Sequence, residues 1–153
     1  MNELEVTLLL CAWLGSGDVE TTHKFGNLGR TRAVRVDCET DTHVIEVGFD
    51  GKPASRDSLH QALFAAELTG KVPMFIVVDR DGAEGRYEQE LRVVAARAGV
   101  AFARCTQDFI VRWRMTQPYR ALGLDKSLDD LPDPVAVWGR CDIARVYRES
   151  MPG

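Results

Sequence analysis

The sequence lacks the features that define several classes of protein. No apolar run reaches about 18 residues, the length that a membrane-spanning helix needs. Residues Met1–Glu5 are acidic where a signal peptide requires basic residues. Low-complexity stretches are missing too, and 45% hydrophobic with 27% charged residues is a globular composition. We therefore expect a globular protein of the cytoplasm with no membrane partner.

Cysteine and lysine are both scarce. The four cysteines form no C-x-x-C pair and no zinc-ligand spacing, so we expect reduced, buried thiols. Of the 19 basic residues only four are lysines, which leaves 15 arginines. The net charge of −4 argues against a protein that coats nucleic acid non-specifically, although it is compatible with a local basic site. The residues are Cys11, Cys38, Cys105 and Cys141, and Lys24, Lys52, Lys71 and Lys126.

The order of the expected elements predicts an α/β fold. The 153 residues suit one domain, which we divide into a core over 1–122 and an acidic, proline-containing arm over 123–153 docked on it. After a first helix at 3–14, alternating strands are expected at 32–39 and 42–49. Helices at 55–70 and 84–98 then flank strands at 72–79 and 100–104. An antiparallel hairpin followed by parallel crossovers indicates a central mixed sheet with helices on both faces.

The hairpin places two carboxylates on one face. With Thr40-Asp41 as its two-residue loop, Glu39 lies opposite Thr42. Alternation then puts Asp37 and Glu46 on the same face as diagonal neighbours, about 7 Å apart at the backbone. The opposite face, expected in the core, carries Val34, Val36, Cys38, His43, Ile45, Val47 and Phe49.

Two carboxylates on one strand face are a ligand set for a hard cation such as Mg²⁺. Glu20, upstream of the hairpin, is a candidate for a third carboxylate. Such a metal could activate water and stabilise a scissile phosphate. A solvated sheet face with an ordinary Arg35–Glu46 ion pair explains the same pattern.

Residues 35–47, with the pattern V-D-C-x-T-D-T-H-x-I-E-V, resemble the core motif of the PD-(D/E)XK nuclease-like superfamily, which has the restriction-endonuclease-like fold. The resemblance extends from Glu20 to Val78, through a helix containing Gln61 and a strand over Met74–Val78. It implies Mg²⁺ or Mn²⁺ held by Glu20, Asp37 and Glu46, with Gln61 as a positioning residue. It also implies a Mg²⁺-dependent phosphodiesterase or endonuclease with nucleic acid as a partner.

The main departure from the family pattern is Gly48. The superfamily usually has a lysine two residues after the second acid, where it orients or activates the attacking water. Lys52 is the candidate for a displaced catalytic lysine, and a solvated turn residue is the alternative. Two other functions stay open: a non-catalytic nuclease-like module that contacts nucleic acid or protein, a second copy included, and an unrelated α/β binder of small molecules beyond the strand ending at Asp79.

Three further patterns have simpler explanations. We interpret His43 as a buried histidine with satisfied hydrogen bonds. The run 79–82, Asp-Arg-Asp-Gly, lacks most of a calcium loop and indicates a turn. Arg112, Trp113 and Arg114 could grip a nucleic-acid backbone, but an amphipathic helix with its apolar side inward accounts for them as well.

Overall fold

The computed structural model describes residues 1–14, 17–53, 55–116 and 141–153. Helices and strands alternate after an initial helix and a three-strand meander. In chain order the elements are α1 (Glu3–Trp13), β1 (Asp18–Asn27), β2 (Arg30–Glu39), β3 (His43–Phe49), α2 (Ser55–Thr69), β4 (Val72–Asp79), α3 (Arg86–Ala98), β5 (Ala101–Thr106), α4 (Gln107–Met115) and α5 (Ile143–Glu149).

The strands form one mixed five-stranded sheet in the order β1-β2-β3-β4-β5. The β1–β2 and β2–β3 pairs are antiparallel, whereas β3–β4 and β4–β5 are parallel. The predicted α/β class and mixed sheet are confirmed. The sheet also contains the ten-residue strand β1, which precedes the predicted hairpin.

Helices cover both faces of the sheet. Val6 and Leu10 of α1 pack with Ile45 of β3, Ile110 of α4 and Ile143 of α5. On the other face, a second cluster joins α2 and α3 to β4 and consists of Leu59, Phe75, Val77, Leu91, Ala95 and Val100. Since β3 is buried along its whole length, neither of its faces is the solvated surface considered above.

The predicted loop of the β2–β3 hairpin was wrong by one position. Glu39 pairs with Val44, and Thr40 N–H donates to the His43 carbonyl at 3.0 Å, so the loop is Asp41-Thr42. The Thr40 hydroxyl explains the choice, because it accepts hydrogen bonds from the N–H groups of Thr42 (3.3 Å) and His43 (3.1 Å).

The predicted core face was also wrong for the first part of β2. Cys38 and Ile45 share a cluster with Val47 and Phe49, as predicted. Val34 and Val36, however, pack with Val44 and Ala65 on the α2 side. Within the described residues, β2 pairs with β3 at Cys38–Ile45 and Glu39–Val44. The part of β2 before Asp37 is not held in this pairing, and its apolar side faces α2.

The prediction of reduced thiols was wrong, because the structure has disulfides Cys11–Cys38 and Cys105–Cys141. The partners are 27 and 36 residues apart, so no local spacing indicates the pairs. Disulfides are rare in cytosolic proteins, so these bridges lend no support to a cytoplasmic location.

The end of the chain packs on the sheet. Residues 141–153 belong to the predicted arm, and α5 contacts the core through Ile143. Residues 123–140 of that arm lie outside the described part of the chain. Among the described helices, none combines the length and apolar character of a membrane-spanning segment.

Candidate metal centre

Asp37 and Glu46 meet on neighbouring antiparallel strands. The pairs Cys38–Ile45 and Glu39–Val44, continued by one residue, place Asp37 directly opposite Glu46 rather than diagonal to it. Asp37 Oδ2 accepts a hydrogen bond from the Val47 N–H at 2.9 Å. The two carboxyl groups are close enough for each to shift the pKa of the other.

Burial disfavours the charged form of both carboxyl groups. Glu46 is 2% exposed, and its Oε1 has no hydrogen-bond partner among the described residues. Burial, followed by the charge of Asp37, raises the pKa of Glu46 to about 9, and burial also raises the pKa of Asp37. Two desolvated acids in contact cannot both ionise cheaply, so the pair holds a proton at neutral pH unless a cation compensates it.

Helix α2 covers the face of β3 on which Glu46 lies. Val44 and Gly48 flank Glu46 on the same face of β3. Val44 packs against Ala65, and Gly48 lies against Ser55, which places the helix over the face between them. The oxygen of Glu46 that has no hydrogen-bond partner among the described residues, Oε1, is therefore buried beneath this helix.

Glu20 is the third acid near the pair. The register Val19–Cys38 and Thr21–Val36 places Glu20 across from Asp37 on β1, and Glu20 has a positive φ of 51°. Its charge raises the pKa of Asp37, whereas Arg35 lowers it. Arg35 Nη1 lies 3.7 Å from Glu20 Oε1, and the charge of Arg35 also lowers the pKa of Glu46.

Lys52 and Gln61 are not brought to the acids. Lys52 Nζ lies 5.1 Å from the ring centroid of Phe49. Phe49 packs in the α1 layer, and its position on β3 alternates with that of Glu46, so the two point to opposite faces. Gln61 is exposed on α2, and no described residue bonds to its side chain.

Gly48 cannot be replaced by lysine without a rearrangement. A Cβ atom there would lie 2.8 Å from Ser55 Oγ and 3.0 Å from Phe75 Cζ. Ser55 is held in place because its hydroxyl donates to the Phe49 carbonyl at 3.0 Å. Close packing between β3, β4 and the start of α2 therefore accounts for the missing side chain.

A second acidic cluster lies at the carboxyl ends of β3 and β4. Oxygens of Asp50, Asp79 and Asp81 all lie within 4.8 Å of one another. Sequence reasoning missed Asp50, although acids directly after adjacent parallel strands are a usable signal. Asp79 Oδ1 accepts from the N–H groups of Asp81 (3.0 Å) and Gly82 (2.8 Å), and Oδ2 pairs with Arg104. This supports the turn interpretation of 79–82.

The structure places His43 in a satisfied polar network. Its ring is fully buried, with Nδ1 2.7 Å from Thr42 Oγ1 and Nε2 2.8 Å from Ser150 Oγ. Burial lowers its pKa to about 4. Both ring nitrogens are occupied, so His43 acts as a core histidine.

The aromatic side chain of the Arg112–Arg114 segment is also used structurally. Trp113 stacks on Trp13 of α1 at a centroid distance of 5.3 Å. Arg112 pairs with Asp108 one turn earlier at 3.3 Å. An α1–α4 contact therefore explains this segment without nucleic acid.

Comparison with known proteins identifies no relative. No family model, curated protein or solved structure matches the chain.

Proposed function

We propose that the protein is a metal-dependent phosphodiesterase of nucleic acid, of the PD-(D/E)XK nuclease-like type. The observation that carries the proposal is the buried Asp37–Glu46 pair, in which one carboxylate oxygen of Glu46 has no partner among the described residues. An unsatisfied buried acid costs stability, and such groups concentrate at functional sites.

The residues around this oxygen fit a divalent cation. Asp37 and Glu46 would hold it directly, with Glu20 as an auxiliary acid. All three donors are carboxylates, the ligands that Mg²⁺ and Mn²⁺ prefer. A bound cation would lower the pKa of a water molecule and neutralise charge on a phosphate. Arg35, which lies near Glu20 and whose charge acts on Glu46, offers a guanidinium for a phosphate oxygen.

The order of elements agrees with the proposed motif. The resemblance calls for strand, strand, helix and strand, and the chain has β2, β3, α2 and β4 in that order. The antiparallel hairpin lies directly beside β4. Parallel strands throughout would favour the small-molecule binder, and this arrangement therefore does not support it.

A non-catalytic nucleic-acid module is the second candidate. It is favoured by the packed position of Gly48 and by the stacking of Lys52 on Phe49, which leave the acids without the usual lysine. If the protein is catalytic, hydrolysis without this lysine depends on the carboxylates and the cation they hold. The two candidates share the metal site and differ in turnover.

Calorimetric titration with Mg²⁺ and Mn²⁺ tests the site. We expect Glu46→Gln and Asp37→Asn to weaken binding more than about tenfold, because each removes a ligand charge. Asp81→Asn is the matched control in the second acidic cluster and should change affinity less than about twofold. Wild-type chain that binds no metal at millimolar concentration, or binding indifferent to Asp37→Asn, would contradict the proposal.

Cleavage assays separate the two candidates. Single- and double-stranded DNA and RNA are incubated with wild-type protein and Mg²⁺ or Mn²⁺. Cleavage that disappears in Asp37→Asn supports the phosphodiesterase. Metal binding with every substrate left intact would assign the chain to the non-catalytic module.

A further inference from the structure

The β1–β2 hairpin extends past the rest of the sheet as a two-stranded ribbon. Its pairs run from Asp18–Glu39 to Asn27–Arg30, whereas the described β2–β3 pairs stop at Cys38. Leu28 and Gly29 form the tip, both with positive φ (51° and 75°), as a two-residue hairpin turn requires. The six pairs from Thr22–Arg35 to the tip span about 20 Å at about 3.4 Å per residue.

One face of this ribbon is anchored and the other is open. Phe25, Val34 and Val36 pack with Phe64 and Ala65 of α2, which holds the ribbon against the core. The opposite face is exposed throughout, and apart from its two cations it has only small or hydroxyl-bearing residues. Its members are Thr22, Lys24, Gly26, Thr31, Ala33 and Arg35.

The ribbon is basic in an acidic protein. Residues 21–36 contain Lys24, Arg30, Arg32 and Arg35 and no aspartate or glutamate, a charge of +4. The chain total of −4 therefore leaves −8 for the remaining residues. Lys24, Arg30 and Arg32 are exposed and have no ion-pair partner in the described ranges. Lys24 and Arg35 lie on the open face, whereas Arg30 and Arg32, paired with Asn27 and Phe25, lie on the other face near the tip. The exposed end of the ribbon is therefore complementary to a polyanion.

The base of the ribbon is the candidate metal centre. Arg35 is the last cation before the acids, and its charge acts on both Asp37 and Glu46. Glu20 belongs to β1 itself. A polyanion lying along the ribbon would thus be led from the tip to the three carboxylates.

We propose that the 22–35 ribbon binds double-stranded DNA in the major groove and presents its backbone to the Asp37–Glu46 centre. The second part of this proposal, in which the DNA backbone is presented to Asp37 and Glu46, rests on the proposed function. A two-stranded ribbon fits the major groove of B-DNA, about 12 Å wide, whereas the deep, narrow groove of A-form RNA excludes it. Single strands are usually held by stacking aromatic rings, and the open face carries none.

Salt-dependent binding to a fluorescein-labelled 20-base-pair duplex in EDTA tests the ribbon without any metal. Four phosphate contacts predict a log–log slope of about −3.6, equivalent to a loss of about 150-fold in affinity between 50 and 200 mM salt. The triple variant Lys24→Ala, Arg30→Ala, Arg32→Ala should bring the slope to about −1 and weaken binding at least about tenfold at 50 mM.

The matched control removes three exposed arginines elsewhere. Arg86→Ala, Arg97→Ala, Arg112→Ala has the same net charge as the ribbon variant, and Arg112 belongs to the other basic candidate. We expect less than about a threefold change in affinity and an unchanged slope. Thermal unfolding verifies that both variants fold, and the single change Lys24→Glu provides a second ribbon variant.

Four outcomes would overturn the ribbon proposal: equal loss of binding in both triple variants, equal affinity for single-stranded DNA, equal affinity for double-stranded RNA, and binding of phosphatidylserine vesicles but not DNA. Its failure is distinguishable from failure of the metal site. Mg²⁺ titration that persists while duplex binding is absent removes the ribbon alone. Duplex binding without Mg²⁺ binding removes the phosphodiesterase alone.

Discussion

Two acidic clusters occupy different places on the same sheet, and they differ in how their oxygens are satisfied. In the β2–β3 cluster, Asp37 receives one backbone hydrogen bond, and Glu46 keeps an oxygen without a partner among the described residues. In the strand-end cluster, Asp79 receives two backbone N–H groups and an arginine. Asp50 and Asp81 each accept one backbone N–H, at 3.1 and 2.9 Å.

If the proposed function is correct, the number of nearby acids is a poor guide to a metal site. The strand-end cluster has three acids within reach of one ion, yet the fold already uses their charge to hold a turn and Arg104. The Asp37–Glu46 pair has fewer acids, but one buried oxygen of Glu46 has no hydrogen-bond partner among the described residues. A ligand is expected where the protein leaves a buried polar group unpaired.

Removing Asp79 should have the largest effect on stability. Asp79→Ala leaves Arg104 without one partner at a partly buried site, where its side chain is 23% exposed, and also opens the 79–82 turn. We expect a loss of about 3 kcal/mol or more in the free energy of unfolding, measured by urea denaturation. Asp81→Ala, at an exposed position, should cost less than about 1 kcal/mol. Equal losses would mean that the strand-end cluster is not structural.

A pH series compares the stability of wild type with that of His43→Gln. His43 is a buried group whose ring nitrogens are hydrogen-bonded, whereas Glu46 on the same strand has an oxygen without a partner among the described residues. The folded pKa of about 4 lies below the ordinary value of about 6.5, so below pH 6.5 the unfolded chain binds the proton first. Stability from His43 therefore falls as the pH falls. The advantage of wild type over His43→Gln should shrink by about 2 kcal/mol between pH 7 and 5, and a constant difference would show that His43 is not held neutral.

Replacing Glu46 should give the smallest change, and with the opposite sign to that of Asp79. Glu46→Gln keeps the shape of the side chain but removes the need for the folded chain to take up a proton at Glu46, which burial and Asp37 impose. In EDTA at pH 7 we expect a gain of about 1 kcal/mol, seen as a higher Tm, in line with the trade-off between function and stability. A lower Tm would indicate that Glu46 stabilises the fold and would weaken the contrast between the clusters.

The alternation of side chains along β2 and β3 predicted the site better than the assignment of the hairpin loop did. The loop is Asp41-Thr42 instead of Thr40-Asp41, which shifts the strand pairing by two residues. An even shift keeps the face of the side chains next to the loop, so Asp37 and Glu46 stay together and move from diagonal to opposite positions. Because the hydroxyl of Thr40 selects the loop, the exact register depends on a contact that propensity does not encode.

Other features depend on contacts distant in the sequence. The Cys11–Cys38 and Cys105–Cys141 bridges join elements whose spacing carries no signal. Lys52 follows the hairpin closely in sequence, but alternation along β3 and the ring of Phe49 hold it away from the acids. No local rule relates a turn residue to the face on which it finally packs.

The mixed α/β layering and the shared face of Asp37 and Glu46 are predictable from sequence, because they follow from the period-two alternation of strands and the order of elements. Contacts between distant segments bury this face beneath α2, leave Gly48 no room for a side chain and leave one oxygen of Glu46 without a partner among the described residues. These properties arise from how α2 and β4 pack on β3. Burial and hydrogen-bond satisfaction are set by distant segments, and they separate a metal site from a solvated pair of acids.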